Sequence, residues 1–425
     1  MNTETKQIQT PYIRLVIAIL IGQMGVVIAI VAPLYLLLAY KLTQIDPNKV
    51  TVNIGLVTSI AVLFALVGNP VGGAISDRTP FKFGRRRTWI LIGDLLGSAS
   101  LIGIAYATNV WMVLVFWCAA QAFLNFNMAA LVALIADQVD EGKRGKASGI
   151  VSLSQMLGMF VAIALINAVT NSSLVVKFTL TAGISLLLTI ICCVLIKEGK
   201  VVYQKPLSEK NSFSLMSIFP SPRKYPNFMW AWITRFFIMA ANSYTVYNVV
   251  VFAQRYDLTE AQITEKMLIQ TLVSSIFAVV SSALGGFLSD KFRKQRLFVF
   301  SSAFVVAIGL AIMAFSNNFE GFLLGVAIAG FGQGIYFAVD LALNTRILPS
   351  KENSAKDLGL INIAATLPQS LVPLFAPLIL ERFGFVGFFL LFSAFAILSG
   401  LTVMPIPEMP AKDEEEKLLR ETTVI

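Results

Sequence analysis

Long apolar runs separated by short polar segments divide the chain from end to end. A helix rises about 1.5 Å per residue, so roughly 20 apolar residues cross the ~30 Å hydrocarbon layer of a bilayer. The runs predict spans at 11–40, 51–75, 88–107, 110–136, 146–170 and 174–197, and again at 227–254, 264–288, 297–316, 320–345, 357–381 and 385–404. The polar segment 198–226 is the one long internal linker, and a polar tail follows from Pro405. The division expected is a six-helix bundle over 1–197, the linker, a second six-helix bundle over 227–404 and a tail over 405–425. The fold class expected is an all-α membrane protein of twelve transmembrane helices, because a helix bonds its own backbone in lipid.

Composition agrees. Only 13% of residues are charged and 56% are apolar, with a mean hydropathy of +0.76; soluble domains carry about 25% charge. The first apolar run is too long for a signal-peptide core and reads as a retained span. Cys118, Cys192 and Cys193 all fall inside spans, so neither a disulfide framework nor a metal site is expected. Histidine is absent. That removes the usual triad and zinc chemistry, and no phosphate-binding glycine loop is present. The chain is therefore expected not to be an enzyme and to need no cofactor.

The net charge of +9 raises nucleic acid as a partner, but the placement of the bases speaks for topology instead. One set of alternate loops holds only Lys41, Lys49, Lys177, Arg255, Lys266 and Arg382, and Arg235 lies within a span. All other lysines and arginines fall in the opposite set of segments. By the positive-inside rule both termini are cytoplasmic, in a multi-pass protein of the cell membrane. The partners expected are a small-molecule substrate and the lipid bilayer, not nucleic acid, and the chain is expected to be a monomer.

The two halves repeat. Gly72-Gly73-Ala74-Ile75-Ser76-Asp77-Arg78 follows span two, and Gly285-Gly286-Phe287-Leu288-Ser289-Asp290-Lys291 follows span eight. Each is followed by bases, Arg85-Arg86-Arg87 or Arg293-Lys294-Gln295-Arg296. The glycines suit close helix approach. Asp77 would face the positive end of a helix dipole, and span eleven opens with a capping-box pattern from Ser354 to Asp357. By the repeat, Asp290 would face the start of span five near Lys146 to Gly149. Arg78 or the Arg85–Arg87 cluster can pair with Asp137 at the end of span four. The cytoplasmic gate expected is thus Gly73, Asp77, Arg78, Gly84, Arg85, Asp137, Gly286, Asp290 and Asp357. Asp94, early in span three, is expected to join that network.

At these residues the sequence resembles the major facilitator superfamily, whose Gly-x-x-x-Asp-Arg/Lys signature lies between spans two and three and is echoed between spans eight and nine. The longer loop from Ser76 to Trp89 looks like the glycoside–pentoside–hexuronide symporter branch and the related sucrose transporters. The resemblance implies the major facilitator fold, two pseudo-symmetric six-helix bundles that rock about a central cavity lined by spans one, four, seven and ten.

Polar groups in hydrocarbon belong on the bundle interior or on a water-filled path. On the four lining spans they are Gln23; Gln121 and Asn125 at i and i+4, with Asn127; Arg235, Asn242, Tyr244, Tyr247 and Asn248; and Gln333, Tyr336 and Asp340 on one helical face. The substrate-binding set expected is Gln23, Gln121, Asn125, Arg235, Asn242, Tyr244, Asn248, Gln333, Tyr336 and Asp340. Amides and phenols match hydroxyl-rich ligands, so a sugar or glycoside-like solute is expected. The alternatives are export of a drug or other metabolite, which the lack of a Gly-x-x-x-Gly-Pro pattern in span five weakens, and a non-transporting solute sensor. Arg235 and Asp340 are expected to pair. Span two has no acid before Asp77, so no sodium site is evident there. If a proton couples transport, Asp340 is the first carboxylate to consider.

Overall fold

The computed structural model describes residues 10–79, 83–198, 223–347 and 354–409. Among them the chain is helical throughout. The helices are α1, Tyr12–Ile45; α2, Val50–Arg78; α3, Arg85–Tyr106; α4, Val110–Gln138; α5, Glu141–Ala168; and α6, Leu174–Leu195. After the linker come α7, Pro226–Arg255; α8, Glu260–Phe292; α9, Gln295–Phe315; and α10, Phe319–Arg346. The last helical run, Ser354–Val403, has 50 residues and is broken at Gly384, which sits at φ 62. At about 1.5 Å per residue that run is more than twice a bilayer crossing. It therefore carries two spans, α11 over 354–383 and α12 over 385–403. Eleven helical runs are long and apolar enough to cross a membrane, and the break brings the spans to twelve.

Local sequence explains the starts and interruptions. Asn109 and Asn318 sit just before α4 and α10, and each side chain accepts an N–H of the first turn, from Met112 and Gly321. Ser173 does the same for α6 through Val176. Pro33 cannot donate a backbone hydrogen bond, and α1 passes through a π-turn over Pro33–Leu37. α7 is interrupted by a 3₁₀ turn at Ser243–Tyr247.

The helices group into two compact units. The first joins Met1–Lys210 with Thr245–Leu268 and Pro373–Pro377. Within it α1 packs on α5 and α6, α2 on α4, and α3 on both α4 and α6. The second joins Asn211–Tyr244, Ile269–Val372 and Leu378–Ile425. In it α9 packs along α10. An aromatic cluster also fills it, in which Tyr244 meets Phe389 and Phe392 edge-on and Phe389 meets Phe322. Large apolar side chains such as Ile276, Val280, Leu284 and Phe287 on α8 lie exposed, which is the surface a bilayer requires and water would penalise.

Candidate functional site

The repeat motif builds a charge network at one end of the first unit. Arg86, at the start of α3, is almost fully buried and each of its guanidinium nitrogens has a partner. Nε donates to Asp137 at 2.8 Å, Nη1 to the Ser76 hydroxyl at 2.5 Å, and Nη2 pairs with Asp77 at 2.5 Å. Arg85 adds a second pair to Asp137 at 2.7 Å. The planar fork of arginine holds two carboxylates and a hydroxyl at once, which a lysine cannot do. The carboxylates come from the end of α2 and the end of α4, so the network ties three helices together.

The glycines divide their work differently from expectation. Gly73 and Gly286 were the expected close-approach positions, yet a methyl at Gly73 would meet nothing within 4 Å and one at Gly286 only Ala338 at 3.9 Å. Their neighbours Gly72 and Gly285 take the contacts, to Phe126 at 2.7 Å and Ile335 at 2.9 Å. Adjacent residues on a helix point about 100° apart, so only one of two glycines can face the packed neighbour. Gly84 has φ 119, a conformation that favours glycine.

Two acids that sequence reasoning missed complete the pattern. Glu198, just past α6, accepts the backbone N–H groups of Arg86 and Arg87 at 2.9 and 3.1 Å. Glu408, just past α12, accepts those of Arg296 and Leu297 at 3.0 Å each. Both bridges from the arginine N–H to the glutamate span 112 residues. Each carboxylate caps the positive end of a helix that has no other side-chain cap. The repeat of one basic helix start followed 112 residues later by a glutamate was the available signal. Asp290 is exposed at the end of α8. The side chains of Arg78, Lys146 and Asp357 lie outside the described residues.

Asp94 does not join this network. It is fully buried in α3 and accepts a 2.7 Å hydrogen bond from the Ser185 hydroxyl of α6. Nine residues of helix separate it from Arg85, roughly 14 Å along the axis.

Of the expected substrate ligands in the first unit, Asn125 donates to the Gln121 backbone carbonyl at 2.8 Å and to its side-chain oxygen at 3.3 Å. Gln23 and Asn248 are fully buried. In the second unit, Arg235 of α7 pairs with Asp340 of α10 at 2.6 Å, and Gln333 donates to Asn242. Tyr336 and Tyr244 are buried in helix packing. Trp232 and Phe236 stack on α7, one turn apart, with centroids 5.7 Å apart and both half-buried; the Trp232 indole N–H donates to the Leu360 carbonyl at 3.0 Å, and Phe237 meets Phe236 edge-on and stacks on Phe395 of α12.

Lys177, expected in a loop, lies inside the first turn of α6 and is almost completely buried. It pairs with Glu260 at the start of α8 and sits 5.5 Å from the Tyr40 ring. The Tyr40 hydroxyl lies 2.9 Å from that of Thr264, one turn into α8. These contacts belong to the first unit.

A profile of the Major Facilitator Superfamily matches residues 15–273 and 260–424. Among curated proteins, an uncharacterized transporter of Buchnera aphidicola is 32% identical over 118 residues, 28% of this chain and 29% of that protein. Multidrug resistance protein MdtG of Proteus mirabilis is 24% identical over 71% of this chain and 74% of its own length. Multi-drug resistance efflux pump PmrA of Streptococcus pneumoniae is 25% identical over 73% of this chain and 74% of its own length. The crystal structure of a D-xylose-proton symporter superposes with a TM-score of 0.72 at 15% identity, covering 94% of this chain and 99% of that one. At that identity the likeness speaks for the fold alone.

Proposed function

The chain belongs to the Major Facilitator Superfamily, and from that membership we propose a secondary transporter that exports a small amphipathic organic molecule by alternating access. The observation that carries the substrate class is the state of the polar groups on the helices expected to line the path. Asn125 is bonded to Gln121 and Gln333 to Asn242, so these amides already have partners, whereas among the described residues the buried amides of Gln23 and Asn248 have none. The stacked, half-buried rings of Trp232 and Phe236 stand on α7 within one turn of Arg235, which pairs with Asp340. Flat aromatic or cationic aromatic solutes stack on such a face. The efflux names of relatives that match over about three quarters of both chains support the same reading.

Sugar or glycoside uptake, as in the glycoside–pentoside–hexuronide branch, is the second reading. The amide pairs favour it, because each amide can exchange its partner for a sugar hydroxyl. In either case both termini are placed on the cytoplasmic side of a cell membrane, and Gly73, Asp77, Arg85, Asp137 and Asp290 act as parts of a gate.

Counterflow in proteoliposomes separates the readings. Purified protein is reconstituted and loaded with ethidium, as an aromatic cation, or with labelled glycosides and hexoses. Ethidium counterflow that Trp232→Ala slows supports export of amphipathic molecules. Glycoside counterflow with no movement of ethidium overturns it in favour of the second reading. No movement of any solute favours a sensor.

A further inference from the structure

The two bundles carry different charges at equivalent places. Asn109 and Asn318 cap α4 and α10 and lie 209 residues apart. The same interval carries Asp137, near the end of α4, to Arg346 at the end of α10. An interval of 210 carries both Arg86 to Arg296 and Glu198 to Glu408. The second bundle thus keeps the arginine and the capping glutamate but has a cation where the first has a carboxylate.

That exchange leaves the second junction short of negative charge. In the first bundle Asp77 and Asp137 both reach Arg86. In the second, no ion pair from Asp290 to Arg296 is found among the described residues. Arg296 has Glu408 at 3.6 Å from its Nε, and its Nη1 donates to the Met404 and Ile406 carbonyls at 3.2 and 3.4 Å. Arg346 donates Nη2 to the next carbonyl, that of Pro407, at 2.8 Å. Adjacent carbonyls of one strap therefore hold two guanidiniums about 10 Å apart or closer. Glu408 lies in electrostatic reach of both. A base that only marks topology stays hydrated. The Nε of Arg346 is instead buried, with no hydrogen-bond partner among the described residues. A desolvated guanidinium donor is best met by an anionic oxygen.

The surroundings select the kind of anion. A methyl added at Gly400 would lie 3.0 Å from Phe304, so α12 lies along α9 near this end of the bundle. On that pair of helices Leu297, Leu401 and Met404 are about half exposed. A free phosphate engages only the arginines. A phospholipid engages both features, its phosphate at the guanidiniums and its chains along the apolar side chains.

We propose that Arg346 and Arg296, joined by the strap 404–408, form a headgroup site for an anionic phospholipid at the ends of α9, α10 and α12. The first bundle has no counterpart, because Asp137 already fills the equivalent place. The site requires only that the chain spans a bilayer. It depends neither on the solute moved nor on the direction of transport.

The test compares Tm of the purified full-length protein in detergent with added phosphatidylglycerol, phosphatidylcholine or inorganic phosphate. Phosphatidylglycerol is expected to raise Tm more than phosphatidylcholine does. Arg346→Asp, which restores the charge of the first bundle, is expected to cut that difference several-fold. Arg346→Gln serves if the first variant does not fold. Lys294→Gln, at an exposed base of the same bundle end, is expected to keep the difference. Equal effects of the two lipids on the wild type overturn the site, as does a difference that survives substitution of Arg346. A difference lost equally in Lys294→Gln shows diffuse charge attraction and also overturns it. An equal effect of inorganic phosphate replaces the lipid with a soluble anion. A lipid effect that appears only once Asp413, Glu414, Glu415 and Glu416 are neutralised assigns the arginines to the chain's own acidic run, against the proposal. If neither Arg346 variant folds, native mass spectrometry of the wild type decides, by retention of phosphatidylglycerol over phosphatidylcholine at equal concentration or its absence. Failure of ethidium counterflow would count against the export reading and leave these measurements unaffected.

Discussion

Tyr247 donates its hydroxyl hydrogen to the Pro373 carbonyl at 2.6 Å. That carbonyl needs a donor because the residue four positions on, Pro377, has no N–H to give it. A buried phenol on α7 thus replaces a backbone bond missing from α11. Tyr247→Phe is expected to lower stability by about 1–3 kcal/mol, the cost of an orphaned buried acceptor. Pro377→Ala returns the backbone donor, so the double variant is expected to recover much of the loss. Thermal melts of the four proteins in detergent complete the cycle.

Arg86 predicts a ranking. Arg86→Lys keeps the charge but cannot serve Asp77, Asp137 and Ser76 together, so it is expected to lower Tm most. Asp137→Asn removes partners of both Arg86 and Arg85 and is expected to come second. The Asp77 side chain is 54% exposed, and Asp77→Asn is expected to change stability by less than about 1 kcal/mol. If Asp77 nevertheless acts in the gate, its variant slows ethidium counterflow at unchanged Tm.

The pair Arg235–Asp340 is buried on the Asp340 side. Arg235→Ala leaves that carboxylate without its partner and is expected to destabilise by about 3–5 kcal/mol. The charge-swapped variant, Arg235→Asp with Asp340→Arg, is expected to regain part of the Tm. A swap no better than the worse single variant would show that local geometry, not charge pairing, dominates there.

Lys177 presents the opposite asymmetry, since the lysine is buried and Glu260 is half-exposed. Glu260→Gln strands a buried ammonium that keeps the Tyr40 ring 5.5 Å away. It is expected to be more harmful than Lys177→Met, which substitutes an apolar chain of similar length. Melting curves of the two single variants and the double decide this.

Much of this was visible in the sequence for identifiable reasons. Apolar runs of bilayer length mark spans whatever their packing, and Asp137 opposite Arg85 needs only two helix ends on one side of a bundle. Glu198 and Glu408 escaped notice because each stands in a polar segment, and only folding carries it 112 residues back to a helix start. Gly72 was passed over for Gly73 because helical phase, not composition, selects the packed face. Lys177 was read as a loop residue because one basic side chain near a span end looks like a topology marker; its burial comes from Glu260, far along the chain. Asp94 was assigned to the charged end by sequence proximity, although helical rise places it well inside.

The single-residue break at Gly384 bears on how the protein is made. The last two crossings are separated by no stretch of polar chain, only by Glu381 and Arg382 just ahead of the break. Neither crossing has slack with which to enter the bilayer before the other, so the two are expected to insert together as one hairpin. An epitope or protease site placed between them would have to lengthen the chain first, whereas the linker after α6 already has room.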